Sequence, residues 1–112
     1  MRSILILASI TLLLATAVPV TYAGDAEGAM IYASHCASCH GDDGRGTAAG
    51  KKLGVPRLSA DEVQDRSDRF LRTHVAEGKD KMPAFGHKLG HEQLIDVVIH
   101  VRSFWTPKQA SN

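Results

Sequence analysis

The chain contains two cysteines, Cys36 and Cys39, and a histidine follows the second at once: Cys36-Ala37-Ser38-Cys39-His40. Thiols three residues apart at the end of a helix lie on one side of it, so each can add to a different vinyl group along one porphyrin edge. His40, next in the chain, can then turn its imidazole to the iron on one face. Two thioether bonds would hold that imidazole at high effective concentration beside the metal, so ligation would not rest on affinity alone. The pattern therefore points to covalent attachment of one haem c through Cys36 and Cys39, with His40 as an axial iron ligand.

Three other uses of these residues are weaker. A zinc site needs two further ligands; His35, His74 and His87 are available, but their spacing is unlike the common short-finger pattern. A thioredoxin-like pair needs a βαβ context, and no segment here reads as a strand. A disulfide closed over two residues would constrain little and would leave His40 without a role.

One face of such a haem remains to be filled. Of the three methionines, Met1 opens the chain and Met30 lies within two turns of the cysteines, where a return to the opposite face is sterically awkward. Met82 sits far enough along, in Gly78-Lys79-Asp80-Lys81-Met82-Pro83-Ala84-Phe85-Gly86. Pro83 restricts Met82 to an extended backbone that can present its thioether from a stiff loop. Met82 is thus expected as the second axial ligand.

The elements that must position these groups are short helices. Asp25 reads as an N-cap for a helix over 26–36. Glycines at 41, 44, 46, 50 and 54 predict an irregular loop. Ser59-Ala60-Asp61-Glu62 matches a capping box, and Ser67-Asp68 offers a second start leading to Phe70, Leu71, His74 and Val75 before Gly78, giving two short helices or one broken one. Pro83, Gly86 and Gly90 predict another loop. Residues 92–104 form the most regular helix, with Leu94, Val97, Val98, Val101 and Trp105 on one face and Glu92, Asp96, His100 and Ser103 on the other. Pro107 stops it. The domain is expected to be all-α.

The chain has 112 residues, with 13 Lys plus Arg against 12 Asp plus Glu. That is room for one small domain, and so balanced a charge argues against a nucleic-acid binder. Met1-Arg2-Ser3, the uncharged stretch from Ile4 to Ala17, and the exit Thr21-Tyr22-Ala23 have the layout of a secretory signal peptide cleaved after Ala23. The alternative is a retained anchor, since Ile4 to Ala23 is about long enough to cross a bilayer. Residues 24–112 would then be the working domain. Its few aromatics, Tyr32, Phe70, Phe85, Phe104 and Trp105, make only a modest core, which a cofactor would complete.

Taken together, residues 24–112 resemble a class I, single-haem c-type cytochrome. The resemblance is carried by Gly28 and Tyr32, Cys36-Ala37-Ser38-Cys39-His40-Gly41, Asp43-Gly44 with Gly46, Pro56 with Leu58, Met82-Pro83-Ala84-Phe85 and the amphipathic last helix. It implies three to four helices wrapped around one covalently bound haem, with the first and last helices crossing near Gly28. It also implies a hydrogen bond from His40 to the Pro56 carbonyl, which would orient the ring. One departure stands out: where the family commonly has an aromatic on the last helix facing the first, this chain has His100. A solvated histidine loosely paired with Asp96 is expected there, with packing on Tyr32 as the alternative.

The expected function is one-electron transfer between redox partners, a donor dehydrogenase and an acceptor oxidase or reductase, by an exported periplasmic protein without a stable membrane span. Two strong-field ligands leave little room for oxygen or peroxide, so a carrier is expected and not an enzyme. A low-polarity pocket is expected from Tyr32, Leu58, Phe70, Leu71, Phe85, Val97 and Val101. Lys79, Lys81, Lys88, Lys51 and Lys52 are candidate guides for acidic partners, and Arg45 and Arg57 candidate partners for haem propionates. The alternatives are a cytochrome subunit of a dehydrogenase or oxidase complex, and a haem sensor or enzyme in which Met82 is displaceable.

Overall fold

Where the first and last helices cross, a glycine lets two backbones meet. A Cβ on Gly28 would lie 2.0 Å from the Asp96 carbonyl oxygen, so only glycine fits. In the computed structural model, which describes residues 23–107, these helices are α1 (Ala23–His35) and α6 (His91–Ser103). Four shorter helices lie between them: α2 (Ala37–His40), α3 (Ala48–Lys52), α4 (Asp61–Gln64) and α5 (Asp68–Glu77). Among the described residues there is no strand, only an isolated antiparallel bridge between Lys79 and Met82. The fold is the expected all-α one, with α1 and α6 crossing at Gly28. The expected signal segment lies outside the described residues except for Ala23, the first residue of α1.

The core is small and built mostly from α1, α6 and the loop before α6. Ile31, Tyr32, Leu58, Phe85, Leu89, Val97 and Val98 are buried, and Leu71, Val75, Leu94, Val101 and Phe104 pack against them. On α6 the apolar stripe behaves as its spacing predicts through Val101, but Trp105 lies beyond the helix end and is 47% exposed. The opposite stripe is not uniformly solvated. Glu92 and Ser103 are exposed, whereas Asp96 and His100 are half-buried because α1 crosses there.

Several local expectations are corrected. Helix α1 begins before Asp25, which lies in its first turn instead of capping it. The glycine-rich stretch contains α3, started by Thr47, whose hydroxyl accepts from the Gly50 N–H at 3.0 Å. The capping box at Ser59 does not form: Ala60 is the N-cap of α4 and makes no side-chain cap. Ser67 does cap α5, accepting from Phe70 N–H at 3.1 Å, and Gly78 ends that helix at φ 69°.

A polar latch joins α4 and α5 to α6. Gln64 Nε2 donates to the carbonyls of Leu58 (2.6 Å) and Val101 (3.1 Å). Arg102 donates to the carbonyls of Gln64 (2.7 Å) and Arg66 (2.5 Å) and to Asp68 Oδ1 (2.8 Å). The planar fork of one guanidinium thereby ties both short helices to the last one.

Candidate functional site

The helical path turns at Cys36. Its N–H still bonds the Tyr32 carbonyl at 2.8 Å, and its own carbonyl accepts from Cys39 N–H at 3.2 Å and His40 N–H at 2.9 Å. The single turn of α2 thus holds both cysteines and His40 together, as the spacing predicts. Gly41 then leaves the helix at φ 78°, a conformation that favours glycine. Three contacts brace the turn from outside. Gly46 N–H bonds the His40 carbonyl at 2.7 Å, Thr47 N–H bonds the Cys39 carbonyl at 3.0 Å, and the Tyr32 hydroxyl donates to the Gly41 carbonyl at 2.6 Å. Gly50 lies so close that a Cβ there would meet the Cys39 carbonyl oxygen at 1.9 Å.

Met82 is positioned by a different device. Lys79 and Met82 exchange backbone hydrogen bonds at 3.1 and 2.9 Å across a turn in which Asp80 takes φ 52°. The segment is then pinned to the end of α5 by Phe85 N–H to Val75 carbonyl and Gly86 N–H to Ala76 carbonyl, both at 3.0 Å. Met82 is half-buried, whereas Met30 is 61% exposed on the outside of α1.

These two devices face one cavity of about 450 Å³, whose wall includes Cys36, Cys39, His40, Pro56 and Met82. Its volume falls in the range of about 300–1,000 Å³ usual for small-molecule and cofactor sites. All seven residues expected to make the pocket apolar line it, with Phe70 46% exposed. Both thiols are free. Burial pushes the Cys36 thiol up to about 11, so it stays protonated at neutral pH. Burial, and then the charge of His74, hold His40 below the ordinary histidine range, so its imidazole is neutral, the form that ligates metal. Tyr32 is held above the usual tyrosine range by burial first, then by Cys36, Asp42 and Asp43.

The hydrogen bond from His40 to the Pro56 carbonyl, implied by the resemblance, is not formed. Pro56 stands exposed between two anchors, Val55 N–H to Gly50 carbonyl at 3.2 Å and Leu58 N–H to Gly44 carbonyl at 2.9 Å. His40 Nδ1 is buried and has no hydrogen-bond partner. Such an orphan is costly unless a further group satisfies the ring. Two free thiols one helical turn apart, a neutral imidazole, a thioether and an apolar cavity together fit a covalently attached haem. Among the described residues no group of three or more His, Cys, Asp or Glu is placed to hold a metal ion.

Some outlying expectations change. Arg45 pairs with Asp43 at 3.8 Å on the exposed loop, and neither it nor Arg57 reaches the cavity wall. Arg66 does, stacked over the Phe70 ring at 5.0 Å. His74 also lines the cavity, half-buried, one turn beyond Phe70 on α5. Lys79 and Lys81 line the wall, whereas Lys51, Lys52 and Lys88 are exposed and lie outside it. His100 is not solvated beside Asp96. Its ring packs on Tyr32 at 4.9 Å and Phe104 at 5.1 Å, and its nearest carboxylate is Asp25 at 3.6 Å.

The chain is similar to known proteins. The family described as "Cytochrome C oxidase, cbb3-type, subunit III" matches residues 23–101. Cytochrome c6 from a Synechococcus species is 31% identical over 104 residues, covering 90% of this chain and 91% of that one. Cytochrome c6 from Thermosynechococcus vestitus is 34% identical over 90 residues, covering 80% and 79%. Among solved structures, the KustC0563 c-type cytochrome superposes with a TM-score of 0.67 at 34% identity, covering 70% of this chain and 98% of that one.

Proposed function

Because this chain belongs to the single-haem class I c-type cytochromes, electron-transfer proteins with one covalently bound haem c and not enzymes, we propose how its own residues do this work. Cys36 and Cys39 would hold the haem through thioethers, and His40 and Met82 would supply the two protein ligands to its iron. The supporting observation is that these four side chains, from two separate parts of the chain, line one apolar cavity.

When bound, haem supplies a one-electron ferric/ferrous couple. Everything else is done by the protein. Tyr32 and Gly46 hold the His40 turn, and the Lys79–Met82 bridge holds the sulfur loop, so both side chains would be presented to the haem from a braced backbone. Leu58, Leu71, Phe85, Val97 and Val101 exclude water, which disfavours the more highly charged ferric state, and a thioether ligand favours the ferrous state further. Lys79 and Lys81 at the wall give the site a positive margin suited to acidic docking surfaces on donor and acceptor proteins.

We place the carrier in the periplasm, with residues 1–23 as the signal for export. No described helix is long and apolar enough to cross a membrane. A second reading, a subunit of a terminal oxidase, is favoured by the matching family and by the "Cbb3-type cytochrome c oxidase subunit FixPc" of Rhizobium leguminosarum bv. viciae, 33% identical over 79 residues. The chain spans only 26% of that subunit, however, against 91% of the Synechococcus cytochrome c6, which favours the free carrier.

The test is the optical spectrum of the purified ferric protein. A weak long-wavelength sulfur-to-iron band is expected, lost in Met82→Ala together with a gain in carbon monoxide binding to the ferrous form. Covalent haem without that band would return the sensor or enzyme reading to the front. Monomeric elution separates the carrier from the oxidase subunit.

A further inference from the structure

Helix α5 ends at Gly78, and the segment that carries Met82 folds back onto that residue. A Cβ built on Gly78 would lie 2.6 Å from the Met82 carbonyl oxygen, 2.8 Å from the Pro83 carbonyl carbon and 2.8 Å from the Ala84 nitrogen. All three are backbone atoms, so no side chain can swing aside to make room. Non-bonded heavy atoms settle at about 3.5 Å or more. Any side chain at position 78 would therefore drive outward the two peptides on either side of Pro83.

The first of those atoms belongs to Met82 itself. Its carbonyl also accepts from Lys79 N–H at 3.1 Å, and its N–H donates to the Lys79 carbonyl at 2.9 Å. The turn between them holds Asp80 at φ 52°, the one non-glycine residue with positive φ among the described residues. Such a conformation persists only where the surroundings enforce it. We infer that Gly78 is a positioning residue for the Met82 thioether, its bare Cα being the seat against which the Met82 backbone rests. The contact acts on the residue that bears the sulfur, with no intervening segment. A metal–ligand distance is held to within about 0.2 Å, less than the displacement that a Cβ at position 78 demands. The inference rests on Met82 being an axial ligand and adds which residue places it.

The experiment compares holoprotein carrying Gly78→Ala with wild type and with Ser67→Ala. The latter removes the N-cap of the same helix, away from the cavity wall, and so sets the effect of a weakened α5 alone. Three quantities are read: the weak sulfur-to-iron band of the ferric protein, the affinity of the ferric iron for added imidazole, and amide hydrogen exchange at residue 78 and Lys79. The first amide bonds the His74 carbonyl at 2.9 Å and reports the helix end; the second bonds the Met82 carbonyl and reports the seat. Gly78→Ala is expected to keep covalent haem, to lose or shift the band, and to bind imidazole about tenfold more tightly, the size of ordinary overpacking strain falling on the sulfur ligand. Exchange at Lys79 should rise about three- to tenfold, as for one lost hydrogen bond, while residue 78 exchanges no faster than in Ser67→Ala. Ser67→Ala is expected to lower Tm and leave the band and the imidazole affinity in place. The inference is overturned if Gly78→Ala leaves them in place too, because the rotatable bonds of methionine would then absorb the shift. Should Gly78→Ala yield no holoprotein, wild type decides: displacing the sulfur with saturating imidazole should speed exchange at Lys79 and not at Gly78, and unchanged protection of Lys79 overturns the inference. If wild-type holoprotein shows no sulfur band that Met82→Ala removes, the ligand assignment itself fails, whatever Gly78→Ala does.

Discussion

Gly28 of α1 and Asp96 of α6 meet backbone to backbone, with a Cβ on the glycine falling 2.0 Å from the Asp96 carbonyl oxygen. One turn earlier, a Cβ on Gly24 would meet Asp96 Oδ1 at 2.6 Å. Two small residues at this spacing let the helices approach closely enough for Ile31 and Tyr32 to reach Val97 and Val98 in one core. Gly28→Ala is expected to cost about 3 kcal/mol, the upper part of the usual range for overpacking, because carbonyl and helix must shift together. Denaturant unfolding of the holoprotein measures it. A loss under about 1 kcal/mol would mean that the crossing slides at little cost.

His100 sits at the same crossing with an unresolved polar atom. Its Nδ1 is buried and makes no hydrogen bond, and Asp25 at 3.6 Å is too far to accept one. His100→Phe keeps a ring against Tyr32 and Phe104 and removes the orphan. It is expected to stabilise the protein by about 1 kcal/mol, a rise in Tm of roughly 4–8 °C for a domain of this size. A lower Tm would mean that attraction between His100 and Asp25 outweighs the missing bond.

Arg102 has more partners than any other side chain named here, touching two backbone carbonyls and Asp68. Arg102→Ala leaves those carbonyls short of a donor and is expected to destabilise by about 1–3 kcal/mol. Lysine should rescue little, because one ammonium cannot reproduce the fork. Thermal unfolding of both variants decides: full rescue by lysine would reduce the latch to simple charge pairing.

Alkaline pH should reveal Tyr32. Burial, with the nearby negative charges, raises its pKa above the ordinary 10.0. A group whose folded pKa is raised stabilises fully below its unfolded pKa and loses that contribution as pH rises towards its folded value. Stability should therefore decline above pH about 10, and Tyr32→Phe should flatten that part of the profile. Tyrosinate from Tyr32 should appear only at pH well above 10.0, or on unfolding. A normal titration near pH 10 in folded protein would show that the hydroxyl is open to solvent.

The attachment motif could be read along the chain alone. Cys36, Cys39 and His40 lie within five residues, so their relative placement follows from one helical turn, and a Met-Pro pair in a stiff loop offers a thioether as a local property. The all-α class followed from periodicity, because an apolar stripe at steps of three and four needs no partner to be recognised. Pairings between segments remote in the chain are visible only in the folded protein. That His100 stacks on Tyr32 instead of meeting solvent depends on how α1 crosses α6. That Arg66 and His74 reach the cavity while Arg45 and Arg57 do not depends on where two loops come to rest. Helix boundaries belong to the same class. Thr47 could start α3 in a stretch of glycines because Gly50 fits under the Cys39 carbonyl, a contact between strands of chain that no local pattern encodes.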